Sequence, residues 1–267
     1  MRLKTGGVCL VTGASSGIGR AIACRLAKQG MRVYGTSRRE TEQTDGVTML
    51  RLDLGDTASI AAAVDEVIHR EGRIDLLVNN AGAGISGAIE DTSDEDIRLQ
   101  MNAGFLGHVA VTRAVLPHMR SSGGGRILFT GSVAAGIPIP YQAMYSAAKA
   151  AIRAFASALA GEVKSFSIDV TVIEPGDTRT AFTDRRIKTA PEGSAYTELF
   201  TKSVAVMEHD ERTGDSPDQI AAAAVRAALA RHPAPRITVG LRYKAIDLLR
   251  RLLPERWTDA IIHKIYG

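Results

Sequence analysis

Short apolar runs alternate along the chain with longer segments in which apolar side chains recur at helical spacing. The short runs predict strands at 8–12, 31–37, 47–52, 74–79, 125–131, 168–174 and 236–239. The periodic segments predict helices at 17–29, 57–71, 93–101, 103–121, 143–165 and 216–231. Strands that alternate with helices are typical of a parallel sheet covered on both faces. We therefore expect an α/β fold, a doubly wound three-layer sandwich around a central parallel sheet of about seven strands.

The pattern weakens in two places. Residues 183–215 form a long polar segment without strong periodicity, and an insert of that length in a compact domain is often a lid over a functional site. The connection at 39–46 after the second strand is short and polar, which predicts a loop. Because no linker-like composition separates the elements, we expect one domain that spans residues 1–267.

A glycine-rich turn follows the first predicted strand. Gly13, Gly17 and Gly19 lie between the apolar run at 8–12 and the helical pattern at 17–29. Glycines allow the backbone to turn tightly and to approach a pyrophosphate, which binds at the positive N-terminus of a helix. Glycines also serve ordinary turns, so this segment alone leaves a nucleotide site and a plain connection equally open.

Three side chains in the middle of the chain form a proton-transfer pattern. Tyr145 and Lys149 are four residues apart, so they share one face of the predicted helix, and Ser132 lies thirteen residues upstream of Tyr145. A free phenol has a pKa of about 10, and a fixed ammonium nearby favours its phenolate. The Ser132 hydroxyl is suited to hold a substrate oxygen beside that phenol. The pattern predicts interconversion of an alcohol and a carbonyl, which requires a hydride carrier.

Taken together, the motifs resemble those of the short-chain dehydrogenases/reductases in order and spacing. The stretch from Pro140 to Thr183 further resembles the hydroxysteroid and retinol dehydrogenase branch of that family. The resemblance implies a Rossmann-type fold and a nicotinamide cofactor that carries the hydride. The positions that carry it are Thr12 to Gly19, Asn79-Asn80-Ala81-Gly82, Asn102, Ser132, Tyr145, Lys149 and Pro175-Gly176.

The resemblance also implies a role for each of these side chains. Tyr145 is the general acid in reduction and the base in oxidation, Lys149 lowers its pKa and bonds the nicotinamide ribose, and Ser132 orients the substrate oxygen. Asn102 corresponds to the family residue that holds a water linking Lys149 to solvent. The cofactor-binding positions that the resemblance implies are Gly13, Ser15, Ser16, Gly17, Ile18, Gly19, Ser37, Arg38, Asp53, Leu54, Asn80, Ala81, Gly82, Tyr145, Lys149, Pro175, Gly176, Thr178 and Thr180.

The end of the second strand bears on the choice between NAD and NADP. An acid there accepts hydrogen bonds from a ribose 2′-hydroxyl and repels a 2′-phosphate. This chain has Ser37 at that position and Arg38 after it, and a guanidinium suits a phosphate. We therefore expect NADP(H), although Ser15 stands where the family's other common basic residue would be. The alternative is that Arg38 and Arg39 are solvated loop charges.

Asp53, at the end of the third strand, has two open interpretations. In relatives an Asp there contacts the adenine ring and Leu54 follows it, but Asp53 is equally suited to cap the turn into the next helix. Asp56 and Thr57 offer the same capping chemistry.

Composition narrows the class of protein. The chain contains two cysteines, Cys9 and Cys24, which are typical of small core residues in a reducing compartment. No run of 18 apolar residues predicts a membrane span, the first strand starts too early for a signal peptide, and the six histidines show no metal-ligand pattern. We therefore expect a cytoplasmic protein without a metal site. The absence of a basic patch interleaved with aromatic residues argues against nucleic-acid binding.

The C-terminal segment at about 241–267 is basic and amphipathic. From Arg226 to the end the chain carries nine Lys or Arg and three Asp or Glu, and apolar side chains recur at helical spacing on both sides of Pro254. Such a segment can lie on an anionic membrane surface, close over a substrate cleft or pack on a partner subunit. We expect one of the last two.

These observations predict an NADP(H)-dependent oxidoreductase that acts on a hydrophobic alcohol, ketone or aldehyde, such as a hydroxysteroid or retinoid. Small and apolar residues at 134–139, together with Met144 and Phe182, suit either a hydrophobic pocket or ordinary packing. The competing hypothesis is a non-catalytic NADP(H)-binding sensor, since a protein can keep a fold after losing its catalytic activity. The resemblance implies a homodimer or homotetramer paired through the helices at 103–121 and 143–163.

Overall fold

A computed structural model describes residue 3, residues 5–39 and residues 45–266. Most of the connection predicted as a loop at 39–46 therefore lies outside the described residues.

Among the described residues, seven parallel strands, numbered in chain order with the ranges given below, form the central sheet in the order β3-β2-β1-β4-β6-β7-β9. The strand order reverses between β1 and β4, so their connections leave toward opposite faces and open a crevice at the carboxyl ends of the strands. The predicted doubly wound α/β fold is confirmed. The strands are β1 (Val8–Val11), β2 (Arg32–Ser37), β3 (Val47–Arg51), β4 (Leu76–Asn79), β5 (Ile85–Gly87), β6 (Gly125–Thr130), β7 (Ile168–Glu174), β8 (Ile187–Thr189) and β9 (Arg236–Thr238).

Helices cover both faces of the sheet. The apolar stripes of α1 and α7 pack into one buried cluster, and those of α2, α4 and α5 pack into another on the opposite face. The first cluster includes Ile22 and Leu26, and the second includes Val111, Val115 and Ile152. The helices are α1 (Gly17–Lys28), α2 (Thr57–Glu71), α3 (Asp94–Met101), α4 (Gly107–Ser121), α5 (Ala143–Glu162), α6 (Thr197–Thr213), α7 (Pro217–Leu229), α8 (Leu241–Leu252) and α9 (Glu255–Tyr266).

The segment 183–215 contains regular structure that the sequence pattern did not indicate. Most of it forms α6, and its beginning supplies β8, which pairs in parallel with β5 in a separate two-stranded sheet. Phe200, Val204 and Met207 form the buried stripe of α6. The weak periodicity of this insert did not reveal a helix, because a narrow apolar stripe on a largely polar helix suffices when only one face is covered.

A short π-helix at Asn102–Leu106 joins α3 to α4, where the sequence predicted an α-helix from residue 103. A Cβ placed on Gly104 would lie 2.9 Å from the Ala148 Cβ, and one on Gly107 would lie 2.5 Å from the Leu54 Cβ. The two glycines let this irregular turn approach α5 and the loop after β3 closely. The π-turn therefore lies directly against the helix that carries Tyr145 and Lys149.

The helices α8 and α9 end the described chain, separated at Pro254 as the sequence indicated. Within residues 5–39 and 45–266, no helix combines the length and the apolar character needed to cross a bilayer.

Candidate active site

The glycine-rich turn between β1 and α1 has a backbone that only glycine adopts easily. Gly13 has φ 68° and Gly17 has φ 55°, both in the left-handed region. A Cβ on Gly19 would lie 2.3 Å from the Gly13 carbonyl oxygen. Ser16 is the N-cap of α1, yet its side chain makes no capping bond to the helix. The first-turn N–H groups of α1 therefore lack a side-chain cap, and this cradle fits the pyrophosphate of a dinucleotide.

Thr12 and Asn80 lock this turn to the neighbouring strand ends. The Thr12 hydroxyl accepts from the backbone N–H groups of Asn80 (2.9 Å) and Ala81 (3.1 Å). The Asn80 side chain donates to the Thr12 carbonyl at 3.1 Å and accepts from the Thr130 hydroxyl at 3.2 Å. A Cβ on Gly13 would lie 2.8 Å from the Ala81 Cα, so the two loops touch. Buried, mutually satisfied hydrogen bonds of this kind hold β1, β4 and β6 in one fixed arrangement.

The residues proposed for the adenosine end lie at the carboxyl ends of β2 and β3. Ser37 is half-buried, whereas Arg38 is exposed. The Asp53 carboxylate accepts from the Gly55 N–H at 2.9 Å, and Asp56 caps α2 by accepting from the Ala58 N–H. Asp53 thus organises the turn before α2, one of the two roles its position allowed. Its contact with adenine stays a prediction.

The three predicted catalytic side chains meet at the carboxyl edge of the sheet. Ser132 lies just after β6, while Tyr145 and Lys149 lie one turn apart on α5. The Ser132 hydroxyl lies near enough to the Tyr145 phenol to lower its pKa, and it accepts from the Ala134 N–H at 3.1 Å. The Lys149 Nζ donates to the Thr130 carbonyl at 2.9 Å and lies 5.7 Å from the centre of the Tyr145 ring.

Burial is the largest influence on the pKa values of Tyr145 and Lys149. Burial raises the pKa of the Tyr145 phenol, and the Ser132 hydroxyl opposes that rise. Burial also lowers the pKa of Lys149 from 10.5 to about 8, because the folded chain disfavours its positive charge. The sequence predicted that Lys149 would lower the pKa of Tyr145. In the structure the Lys149 ammonium bonds the Thr130 carbonyl, and desolvation is the largest influence on the pKa of the phenol. An effect of Lys149 on the Tyr145 pKa stays a prediction.

His108 is buried close to Lys149. The His108 Nε2 is 2.8 Å from the Ala81 carbonyl oxygen, and the ring packs against Phe129. Burial, with a smaller contribution from the nearby Lys149 charge, lowers the pKa of His108 to about 3. His108 is therefore neutral at ordinary pH and supports the loop at Ala81 as a packed core residue.

Asn102 lies at the surface, at the first position of the π-turn. Its side chain is exposed, and its carbonyl accepts from the Gly107 N–H. The Lys149 ammonium is directed to Thr130. The water-mediated relay between Asn102 and Lys149 stays a prediction.

The loop that begins at Pro175 and Gly176 passes over the crevice. The Thr178 hydroxyl donates to the Gly176 carbonyl at 3.0 Å. The Thr180 hydroxyl accepts from the Phe182 N–H at 3.2 Å, and its side chain lies 3.4 Å from where a Gly17 Cβ would be. This loop therefore meets the glycine-rich turn, as expected of a segment beside the nicotinamide end of the cofactor.

Two contacts from distant segments complete the site, and the sequence pattern did not indicate either. The Arg185 Nη1 donates to the Ser16 hydroxyl at 3.2 Å, which joins the insert to the glycine-rich turn. The Tyr243 ring from α8 lies on Gly176, where an added Cβ would be 2.2 Å from ring atoms, and its hydroxyl donates to Asp177 at 2.5 Å. Thr12 was also missed as a site residue, although a hydroxyl at the end of an apolar strand is a detectable signal.

Ion pairs hold the beginning of the insert against its own helix, α6. Arg186 pairs with Glu211, and Lys188 pairs with Glu208, so the stretch 183–188 is held along α6. The Thr183 hydroxyl donates to Glu211 at 2.6 Å. Phe182, at the start of this stretch, packs against the Tyr145 ring with centres 5.9 Å apart. The insert therefore begins directly beside the phenol, and its role as a lid stays a prediction.

Comparison with known proteins identifies the family. The family profile for short chain dehydrogenase matches residues 7–191. A 3-ketodihydrosphingosine reductase of Bacteroides thetaiotaomicron is 40% identical over 87% of this chain and 87% of its own length. Human 17-beta-hydroxysteroid dehydrogenase type 1 is 30% identical over 97% of this chain and 86% of its own. A crystal structure of a short-chain dehydrogenase from Streptomyces avermitilis superimposes with a TM-score of 0.81 at 32% identity, covering 97% and 98% of the two chains. The chain belongs to the short-chain dehydrogenase/reductase family and is an oxidoreductase that binds a nicotinamide cofactor.

Proposed function

We propose that this enzyme uses NADP(H) to interconvert a secondary alcohol and a ketone on a hydrophobic substrate. The convergence of Ser132, Tyr145 and Lys149 beside the glycine-rich turn carries the proposal. The exposed guanidinium of Arg38 after Ser37, with no carboxylate at that position, supports a 2′-phosphate there.

A nicotinamide cofactor held by the glycine-rich turn and the loop after Gly176 would supply the hydride that reduces the carbonyl carbon. Tyr145 donates its phenolic proton to the carbonyl oxygen, which becomes the hydroxyl of the product. Ser132 holds that oxygen by a hydrogen bond in line with the phenol. Lys149 supplies a fixed positive charge below the phenolate that remains. Oxidation runs these steps in reverse, with the phenolate as the base.

The surroundings of Tyr145 favour a long apolar substrate. Phe182 packs on the Tyr145 ring, and Tyr141 packs edge-on against Phe200 of α6, with ring centres 5.7 Å apart. These aromatic side chains support an apolar wall between the insert and α5, which suits an acyl chain or a fused-ring system.

Acidic side chains beside the site favour a ketone that also carries an amino group. Asp177 and Glu211 lie close enough to raise the pKa of Tyr145 by their charge. Glu211 is paired with Arg186 and Arg242 offsets part of the Asp177 charge, while Asp177 and Asp210 accept hydrogen bonds from the neutral phenols of Tyr243 and Tyr266. A nearby ammonium on the substrate would offset this negative charge. We therefore propose a long-chain amino ketone such as 3-ketodihydrosphingosine as the first substrate to test, ahead of a hydroxysteroid or retinoid.

A matched panel of ketones tests both the hydrophobic-ketone assignment and the preference for an amino group. Oxidation of NADPH, followed by absorbance, is measured with 3-ketodihydrosphingosine, with its N-acetyl derivative, and with a steroid ketone. We expect the free amine to give the highest kcat/KM, about tenfold above the N-acetyl compound, which corresponds to about 1.4 kcal/mol. Equal kcat/KM values for the free amine and the N-acetyl compound would show that the acidic side chains do not favour an amino group. The assignment of a hydrophobic ketone would still stand.

The competing function is a non-catalytic NADP(H) sensor on the same fold. It predicts cofactor binding without turnover of any compound in the panel. Cofactor titration by fluorescence, run beside the absorbance assay, separates an inactive binder from a chain that does not bind.

We propose that the enzyme pairs through α4 and α5, as members of the family commonly do. Leu106 is exposed, and Ala154, Ala158 and Gly161 form an exposed small-residue face on α5 that permits close approach of a second helix. Phe155 packs edge-on against Phe105 and Phe129, so much of the area of these rings is used within the protomer. Sedimentation of the intact chain and of an Ala158→Glu variant tests the pairing, since a buried carboxylate at this contact should yield monomer.

We also propose a cytoplasmic location. Cys9 is buried and Cys24 partly buried, and both are free thiols. Burial raises the pKa of each thiol, which keeps them protonated and unreactive.

A further inference from the structure

The last two helices present an apolar face to solvent. Of the thirteen large hydrophobic side chains that are exposed among the described residues, seven lie between 241 and 265. On α8 they include Leu241, Leu248 and Leu252, spaced so that they share one side of the helix. On α9 they are Trp257, Ile261 and Ile265, each one turn from the next. We call these six residues the outer stripe.

The opposite side of each helix is held against the protein. Tyr243 lies on Gly176 and bonds Asp177, while Tyr266 donates to Asp210 of α6 at 3.2 Å. These contacts fix the rotation of both helices. The outer stripe is therefore not the core-facing side of a displaced helix; it is the side that the fold leaves in water. Leu252 is 73% exposed and Trp257 is 55% exposed.

Cationic side chains border the outer stripe. Residues 241–266 contain six Lys or Arg and three Asp or Glu. Arg242, Lys244, Arg256 and Lys264 are exposed. A second copy placed on this face by a two-fold axis would bring like charges together, which is unfavourable. A surface of anionic phospholipid supplies both the opposite charge and an apolar interior.

We propose that α8 and α9 dock this enzyme on an anionic membrane surface, lying in the plane of the interface with the outer stripe inserted between the headgroups. Each helix has 12 residues. At 1.5 Å per residue such a helix is about 18 Å long, well short of the roughly 30 Å hydrocarbon core, so it lies on the bilayer rather than across it. Basic residues beside an apolar stripe with a Trp are typical of interfacial helices.

Docking would place the active site at the lipid boundary. Tyr243 on α8 covers Gly176 of the loop beside the nicotinamide end of the site, so the docked helix directly adjoins that loop. A hydrophobic ketone in the bilayer would then reach the crevice without crossing water. The docking itself does not depend on which ketone is reduced, so it stands or falls separately from the proposed function.

Trp257 provides a direct readout, because it is the only tryptophan in the chain. The intact enzyme is mixed with vesicles of phosphatidylcholine alone or of phosphatidylcholine with phosphatidylglycerol as the minority lipid. We expect a blue shift of the emission and co-flotation with the anionic vesicles, both weakened by added salt. Unchanged emission and no flotation with the anionic vesicles would overturn the proposal.

A double variant, Leu248→Gln with Leu252→Gln, tests whether the outer stripe causes the binding. We expect at least about a tenfold loss of vesicle affinity, since each leucine contributes buried apolar area in the interface. The matched control is Ile89→Gln with Leu199→Gln, two exposed apolar residues outside these helices, which should bind like the parent. Circular dichroism and thermal unfolding report that both variants fold. If the Leu248/Leu252 variant binds vesicles as the parent does, the outer stripe is not the docking surface.

Sedimentation distinguishes a protein partner from lipid. If the parent does not bind vesicles, and the Leu248/Leu252 variant reduces its oligomeric state, the outer stripe is an interface between copies and the membrane proposal is wrong. If the variant keeps the oligomeric state of the parent and loses only vesicle binding, the proposal is supported.

Discussion

The carboxyl edge of the sheet and the two C-terminal helices use their side chains in opposite ways. At the sheet edge, Thr12, Asn80 and Lys149 are buried or nearly so, and each is held by specific hydrogen bonds. On α8 and α9, leucines and a tryptophan face solvent. The family profile covers the first region and ends at residue 191, before the second begins. Chemistry requires polar groups fixed in a dry site, whereas attachment to a surface requires an apolar face that the fold leaves free.

The sharpest test of the sheet edge is removal of the Tyr145 hydroxyl. Tyr145→Phe should lower kcat by about a hundredfold to ten-thousandfold, because it removes a positioned acid and keeps the ring that packs on Phe182. Affinity for the cofactor, measured by fluorescence titration, should stay within about twofold of the parent. Tyr141→Phe is the matched control, since that phenol lies four residues earlier and should be dispensable. Full activity of Tyr145→Phe would show that the acid is another group.

The next largest effect concerns cofactor choice. Changing Ser37 to Asp and Arg38 to Leu should weaken NADPH binding by about tenfold to a hundredfold, the range of one charge-assisted contact, and should favour NADH. Titration of both cofactors into parent and variant measures the change. Arg20→Leu, on the exposed side of α1, is the control for a lost surface charge. A parent that already prefers NADH would refute the assignment of NADP(H).

Arg185 tests how the insert is coupled to the cofactor cradle. Its guanidinium bonds Ser16, so Arg185→Gln should loosen the insert and weaken NADPH and NADH by a similar factor, about threefold to tenfold for an exposed contact. Equal loss for both cofactors distinguishes this effect from that of Arg38. Arg179→Gln, an exposed arginine nearby, should leave both affinities unchanged. A loss confined to NADPH would instead mean that Arg185 acts at the 2′-phosphate.

The last test concerns the pH dependence of stability rather than turnover or cofactor binding. His108 has a pKa of about 3 in the folded chain and an ordinary value of 6.5, so below pH 6.5 the unfolded chain binds a proton that the folded chain does not. Its contribution to the free energy of unfolding is complete above pH 6.5 and is lost as the pH falls toward 3, by at most about 1.4 kcal/mol per pH unit.

Replacement of His108 by Gln should therefore reduce the fall in the free energy of unfolding between pH 7 and pH 4, measured by urea unfolding. The exposed His69 supplies the control, because His69→Gln should leave the slope as in the parent. Identical slopes for the parent and the His108 variant would mean that the histidine titrates normally.

Local pattern alone was enough for the fold and for the shared helix face of Tyr145 and Lys149. Alternating runs and helical periods predicted the seven strands of the sheet, because one face or both faces of each element must meet the core. The four-residue spacing of Tyr145 and Lys149 likewise fixed their common face on α5. The glycine spacing predicted a tight turn, since only glycine reaches the backbone angles found at positions 13 and 17.

Other features depended on contacts between segments far apart in the chain. The sequence placed Lys149 beside Tyr145, but packing directs its ammonium to the carbonyl of Thr130 on β6. The helix α6 was missed because its apolar stripe is narrow and becomes meaningful only where one face of the helix is covered. Arg185 meets Ser16 across 169 positions, and no local spacing encodes such a pair.

The sequence by itself thus determined the order of the elements and the tight glycine turn after β1, because these follow from backbone geometry over a few residues, and its assignment of the reacting side chains stays a prediction. Only the tertiary structure decided which charges are buried, which groups satisfy them and which face of the C-terminal helices stays in water. Tyr243 shows the difference most clearly: as a tyrosine on an amphipathic helix it is unremarkable, and only its docking on Gly176 turns the leucines of α8 outward. Side-chain environments of this kind arise from the summed packing of distant segments, which short-range periodicity does not contain.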